Sequence, residues 1–326
     1  MPSVNLLDIA KLNGNDASVG LIEENLRFTP EMEVFPMRPP IRGTTYTTGV
    51  RTGLPTVGFR AANTGVTPSK STFKKQLVEC FIIDAQIKAD KAVADAFEDG
   101  APAWQAIEAS GVAKAALRKV GTQIFYGNVA GAGGDVLGFP GLKAFLPKGG
   151  VTANGDALTI DATGAAALTA SSVYAVVFGM KDAILVPGNG TTPLELGEWR
   201  TQAVADEADA TKQFTAYVNG LTGWIGLQLG NENCARRILN LTAETGKGLT
   251  DALLGALLET FPAGVVPDAI FMSRRSRRQL QLTRTVTLFG SGSVRVNQPA
   301  LAVMPTEYEG VPIIATDSIL NTDAIE

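Results

Sequence analysis

Residues 42–80 read RGTTYTTGVRTGLPTVGFRAANTGVTPSKSTFKKQLVEC. The stretch 44–50 is β-branched and aromatic, 56–62 has the composition of a second ribbon segment, and 72–83 reads as a returning strand. Gly43, Gly49, Gly53, Gly58 and Gly65 punctuate it, so the segment is expected to be a long β-hairpin. Arg42, Arg51, Arg60, Lys70, Lys74 and Lys75 give it local positive charge. It has few bulky apolar residues of its own, and an isolated hairpin is marginal in water. It therefore needs a surface to rest on.

The flanks have the same need. Upstream, Ser18 caps one short amphipathic helix carrying Leu21, Ile22 and Leu26, and Pro30, Pro36, Pro39 and Pro40 then exclude regular structure. An extended arm with Phe28, Met32, Val34, Phe35, Met37 and Ile41 is too apolar to stay in water, and it must lie along something. Downstream, a short helical piece over 90–97 precedes a longer helix with Pro102 in its first turn and Gly127 at its end. Ala113, Leu117, Val120 and Ile124 form its apolar stripe. A glycine-rich bend follows over 127–141, a candidate hinge.

From 150 to 230 the signals are mostly β. Asn154-Gly155 predicts one hairpin, and Asn219-Gly220, between 214–218 and 224–229, predicts a second. Strands are expected at 173–178 and 183–186, and Cys234-Ala-Arg-Arg-Ile-Leu239 continues the strand before it. A helix over 250–261 stops at Pro262, a strand over 268–272 leads to Ser273 as N-cap of a helix to about 285, 287–305 reads as loop, and 311–315 is a closing strand. Helices and strands intersperse without strict alternation, so the class is α+β.

Composition narrows the function. The 326 residues contain no histidine, which removes His-dependent catalysis, His-ligated zinc and a histidine pH switch. Cys80 and Cys234 are too few for a zinc cage or a disulfide framework. The net charge of -4 argues against a chain whose main work is gripping phosphates. Only 18% of residues are charged, against about 25% typically. Either the chain spans a membrane or much of its surface meets protein. No apolar stretch approaches the ~20 residues of a spanning helix, and residues 1–16 do not resemble a signal peptide, so the expectation is a non-secreted protein with reduced thiols.

Chemical motifs are weak. Gly131-Ala-Gly-Gly-Asp-Val136 lacks the third glycine of a dinucleotide loop, and Gly246-Lys-Gly248 lacks the rest of a Walker loop. Ser71-Thr-Phe-Lys74 matches S-x-x-K without the partner motifs that chemistry needs. Asp206, Glu207 and Asp209 lack EF-hand spacing and read as a solvated loop or an intersubunit salt bridge. Arg274, Arg275, Arg277 and Arg278 read as a solvated or interface helix in preference to a nucleic-acid site. No catalytic residue, cofactor or metal site is expected.

The order of apolar arm, basic ribbon, long helix, glycine bend and mixed body resembles the major capsid proteins of tailed phages, with the Hong-Kong-97-like fold. Gly53-Leu-Pro-Thr-Val-Gly-Phe-Arg-Ala-Ala-Asn-Thr-Gly65 is similar to an extension loop of that family. So are Asp90-Lys-Ala-Val-Ala-Asp95 before the long helix, Tyr126-Gly-Asn128 with Gly138-Phe-Pro-Gly-Leu142, and Gly310-Val-Pro-Ile-Ile-Ala-Thr-Asp-Ser318. The likeness spans nearly the whole chain and points to short-tailed (podovirus) phages, of the Bordetella type.

The resemblance implies an N-terminal arm over 1–41 and an extension loop over 42–80, both reaching across neighbouring subunits. It implies a peripheral domain over 81–147 and 214–243 and an axial domain over 148–213 and 244–326. In many members the peripheral strands come last, so this order departs from the usual one. The implied function is structural: self-assembly as hexamers and pentamers into an icosahedral head enclosing double-stranded DNA, assembled in the host bacterial cytoplasm and located in the virion. The implied partners are copies of itself, with cement, scaffolding and portal proteins, and packaged DNA bound without sequence specificity; no membrane is involved. With the arm starting near Met1, scaffolding is expected to be a separate protein or already removed. Intersubunit contact candidates are Phe28, Phe35, Arg42, Arg51, Phe59, Arg60, Lys70, Lys74, Lys75, Arg274, Arg275, Arg277 and Arg278. No crosslink through the ribbon lysines is expected. The competing readings are an encapsulin-like compartment and, less favoured, an α+β enzyme without histidine.

Overall fold

The computed structural model describes residues 9, 13, 27, 29–129, 133–190, 192–206, 209, 211–286 and 300–326. The expected helix at 18–26, Phe28, Gly131, Glu207 and most of the 287–305 loop lie outside the described residues. In chain order the elements begin with α1 (Glu31–Val34), β1 (Thr45–Gly53), β2 (Thr72–Glu79), β3 (Phe81–Asp90), α2 (Lys91–Ala94), α3 (Ala101–Tyr126) and α4 (Leu142–Phe145). Then come β4 (Thr159–Asp161), β5 (Ser171–Val176), β6 (Ala183–Pro187), β7 (Glu195–Leu196), β8 (Arg200–Ala205), β9 (Gln213–Leu229) and β10 (Ala235–Leu241). The chain closes with α5 (Asp251–Glu259), β11 (Ala269–Met272), α6 (Arg274–Thr283), β12 (Thr285–Val286), β13 (Ala300–Leu301), β14 (Glu307–Tyr308) and β15 (Val311–Ala315). The class is α+β, as expected.

The ribbon is β1 against β2, antiparallel from Thr45↔Glu79 to Gly53↔Thr72. The expected segment at 56–62 is not a strand. It has no partner to pair with, and the tip is closed instead by Thr56 N–H donating to Ser69 Oγ at 2.7 Å. The returning strand also divides. At Cys80 the chain leaves β1 and becomes β3, which pairs with β9.

Two sheets build the body. The first has the order β3-β9-β6, with β7 and β8 also on β9. Here the Asn219-Gly220 hairpin expectation fails, because β9 runs straight through both residues with Ile87↔Asn219 and Gln86↔Gly220 paired. Continuous pairing to β3 on one side and to β8 and β7 on the other overrides the local turn preference. The second sheet has the order β14-β15-β11-β5-β10-β4. Residues 234–239 therefore do not extend β9. The chain reverses after Leu229, at Gly230, where a Cβ would strike the Lys181 carbonyl, and β10 joins the other sheet. Across the expected division between 148–213 and 214–243, β6, β7 and β8 share a sheet with β9, and β10 does not. Asn154-Gly155 does make a tight turn, with Thr152 N–H donating to Asp156 O at 2.8 Å. The following β4, however, pairs parallel to β10.

The second sheet is buried on both faces at β5, β10 and β11. Period-2 alternation assigns the faces. Val173, Ala175, Ile270 and Met272 pack against Leu254 and Leu257 of α5 and Leu280 of α6. Tyr174, Val176 and Phe271 pack against Ile124, Phe125 and Phe139 on the side of α3. Local chemistry starts these helices where expected: Thr250 accepts from Leu253 N–H and Ser273 from Ser276 N–H.

Helix α3 has 26 residues, about 39 Å at 1.5 Å per residue. Its buried face is Ala116, Val120, Gln123 and Ile124, and Leu117 is 39% exposed, outside the stripe it was expected to share. The first turn rests on the first sheet, where Trp104 packs with Ile87 and Ala89, and the last turns enter the central core, where the buried line is displaced by one residue. Between Trp104 and Ala116 no residue is fully buried.

Candidate assembly interface

The ribbon has a fixed root and a free tip. At the root, Val78 and Cys80 pack with Ile184 and Val186 of β6. Gln76 Nε2 donates to Leu229 O, and the Tyr46 hydroxyl bonds Gln228 Oε1. The Arg38 guanidinium lies 4.7 Å from the centroid of the Tyr46 ring. Burial pushes the Tyr46 phenol and the Cys80 thiol up, while Arg38 acts the other way on both. At the tip every residue from 54 to 70 is exposed, including Leu54, Val57, Phe59 and Val66. Phe59 is 110% exposed relative to its reference state, so it touches almost nothing of its own chain. Arg42, Arg51, Arg60, Lys70, Lys74 and Lys75 are exposed too. Arg51 lies over the Phe73 ring at 5.5 Å, and Arg60 Nη1 donates to Thr64 O at 3.0 Å.

The arm behaves oppositely over its described residues. Phe35 is buried, with ring centroids 4.9 Å from Phe178 and 5.5 Å from Phe271. It is a core residue of its own chain and leaves the set of intersubunit candidates. Residues 36–41 run beside β6: Leu185 N–H donates to Pro36 O at 3.0 Å, and Ile41 N–H to Pro187 O at 3.0 Å. Glu31 is fully buried, accepting from the Thr316 hydroxyl at 2.6 Å and from the Ser318 hydroxyl. Its carboxylate occupies the space a Cβ would need on Gly121 of α3. Burial raises the Glu31 pKa, with the two hydroxyls opposing and Asp317 adding to the rise. The surface the arm was expected to need is supplied here by the same subunit.

Two of the four arginines of α6 also turn inward. Arg275 donates to Thr169 O at 2.7 Å and Leu241 O at 3.0 Å, and burial lowers its pKa. Arg277 donates to Pro305 O at 2.8 Å. Arg274 pairs with Asp317 at 2.7 Å, and Arg274 and Arg278 remain exposed. In the acidic loop, Asp209 accepts from Thr211 and pairs with Lys212 at 3.2 Å, contacts that lower its pKa.

Two features escaped the sequence reading. The first is a buried ion network between the sheets and the chain's last residues. Arg237 holds Glu326 with both Nη atoms at 2.8 and 2.9 Å and donates to Ser172 Oγ. Lys143 reaches Glu326 at 3.0 Å and Asp323 at 3.6 Å. Burial works against the Glu326 charge, yet Arg237 and Lys143 hold its pKa below the ordinary value; burial raises that of Asp323. The signal was present: two adjacent arginines in an otherwise apolar strand place one on each face, and each then needs a partner. The second is Gln123. Its amide donates to Asp135 O and Phe139 O at 2.9 and 2.8 Å and accepts from Asp135 N–H at 2.8 Å. Together with Gly141 N–H donating to Gly127 O at 2.9 Å, it pins the glycine bend that read as a hinge.

The long exposed ribbon on a two-sheet body with a 26-residue helix has counterparts. The family model of Major capsid protein GP7 matches residues 14–325. The chain belongs to this family. It is thus a structural protein of the icosahedral capsid of tailed phages and not an enzyme, and the encapsulin-like reading is not favoured. Among solved structures, the bacteriophage Epsilon15 structure from cryo-EM superposes with a TM-score of 0.72 at 18% identity, covering 99% of this chain and 97% of that one. The bacteriophage JBD30 capsid gives a TM-score of 0.53 at 12% identity, over 97% and 99%. At such identities these likenesses speak to the fold, which is the Hong-Kong-97-like fold. No curated protein sequence matches the chain.

Proposed function

We propose that this capsid protein assembles as hexamers and pentamers into a closed head around double-stranded DNA, with the ribbon as its main clasp on neighbouring subunits. The observation that carries this is the tip, where every residue from 54 to 70 is exposed and four are large apolar side chains. Burying Leu54, Val57, Phe59 and Val66 contributes ~1.5–3 kcal/mol each. That total is comparable with the ~4–15 kcal/mol cost of immobilising a partner, so one ribbon holds a pair only weakly. Around a closed ring the contacts act together.

Charge supports the same reading. Residues 42–79 hold six Arg and Lys and one Glu, a net of +5. The whole chain is at -4, so the remainder is at -9. A cationic ribbon thus meets an acidic body on the next copy. Residues 81–90, 101–126, 183–205 and 213–229 would form the peripheral part, and the six-stranded sheet with α5 and α6 the axial part. Scaffolding, portal and cement proteins are the further partners this role calls for, with assembly in the host bacterial cytoplasm.

Electron microscopy of concentrated purified protein tests the proposal. Closed shells are expected, with nuclease-protected DNA in particles taken from infected cells. A protein that stays monomeric in all conditions overturns it, and shells from infected cells that never contain nucleic acid overturn the cargo. No covalent link is expected at Lys70, Lys74 or Lys75, so boiled shells should run as single chains on a denaturing gel.

A further inference from the structure

An apolar groove of about 250 Å³ lies between β3, α3 and the glycine bend. That is near the lower end of small-molecule pockets, ~300–1,000 Å³, and suits one or two side chains. Its floor is Val120, Phe139 and Ile225, all buried, while its walls include Ile82 and Leu137, which are 63% and 86% exposed. Large apolar walls left in water around a buried apolar floor are the mark of a surface that another chain covers. On the rim, Lys119 and Asp135 pair at 3.3 Å and compensate each other, which leaves exposed Asp84 as a negative charge.

We propose that this groove receives Phe59 and Arg60 from the ribbon tip of a second copy of the chain. The proposal rests on the reading of the ribbon as an intersubunit clasp and names where the clasp lands. Within 54–70 the only aromatic residue is Phe59 and the only charges are Arg60 and Lys70, both positive, so the segment matches an apolar groove with an acidic rim. The chain's own tip does not reach. Ten residues separate Thr72 from Ile82, about 33 Å of extended strand, and β2 is held in register by β1 throughout. The Arg60 bond to Thr64 O ties the guanidinium to its own turn and leaves further N–H groups for Asp84. That restraint lowers the ordering cost of docking.

The test uses the full chain. Phe59→Cys and Leu137→Cys alter exposed side chains, so each variant folds, and the native Cys80 and Cys234 are buried. Particles co-assembled from F59C and L137C subunits are expected to give a disulfide-linked dimer on a non-reducing gel, which neither variant gives alone. In parallel, R60E should reduce particle yield roughly tenfold, and D84K in the R60E background should restore it. Particles that form without the dimer, or a D84K that fails to rescue, overturn the groove assignment and leave the clasp reading standing. If the wild-type chain forms no particles, the clasp reading itself fails, and with it this proposal.

Discussion

The arm root and the ribbon tip have similar sequences in physical terms, and the structure treats them in opposite ways. Both are proline-interrupted stretches with a few large apolar residues and at most a single turn of regular structure. Residues 29–41 lie on their own subunit, with Phe35 in the core and Glu31 buried under α3. Residues 54–70 lie on nothing. The difference comes from what runs alongside. The arm passes the open edge of β6 and takes up its carbonyl and N–H groups, whereas β1 and β2 pair with each other and the tip they carry stays exposed. An apolar extension is thus a sign of an interface only when its backbone leaves it free of its own body.

The sharpest way to break this comparison is to truncate one phenylalanine in each region. Phe35→Ala should destabilise the isolated subunit by ~3–5 kcal/mol, read as a lowered denaturant midpoint. Phe59→Ala should leave that midpoint within about 0.5 kcal/mol of wild type and reduce particle formation. Equal effects on subunit stability would erase the distinction. A smaller effect is expected at Gly121. An alanine there collides with the Glu31 carboxylate, so G121A should cost ~1–3 kcal/mol and speed proteolysis near Arg27, while cleavage after Arg60 is unchanged.

The smallest effect is a pH dependence of the arm root. Burial raises the Glu31 pKa above its ordinary value, so the folded state binds the proton more tightly than the unfolded chain. The stabilisation linked to that proton is fully present below the unfolded value of about 4.3 and is lost as pH rises through the raised folded value. Measured upward from pH 4, the urea midpoint of wild type should fall relative to that of Glu31→Gln over that window, because the variant lacks this titration. A slope unchanged by E31Q would show that Glu31 does not set the pH dependence of the arm root.

Much of the fold was legible because its causes are local. Pro102 and Gly127 bound α3, Ser273 caps α6, and the β-branched run at 44–50 forms a strand. The misses share a different cause. Asn219-Gly220 has the local chemistry of a turn, but strands more than ten residues away on either side hold it straight. Leu117 has the right spacing for a buried stripe, and only the position of the sheets beneath α3 excludes it. Of the interface candidates, Arg42, Arg51, Phe59, Arg60, Lys70, Lys74 and Lys75 stand exposed on the ribbon, while Phe35, Arg275 and Arg277 are taken up by their own chain.

By itself, the sequence determined that this is an α+β chain without histidine chemistry, with a cationic ribbon, a long helix and a shortage of surface charge. Those properties depend on composition and on neighbours within a few residues. The tertiary structure decided which apolar segment was buried, how strands were shared between two sheets, and where Arg237 found Glu326. Each of these depends on partners far apart in sequence, and their burial is settled only once the sheets are in place.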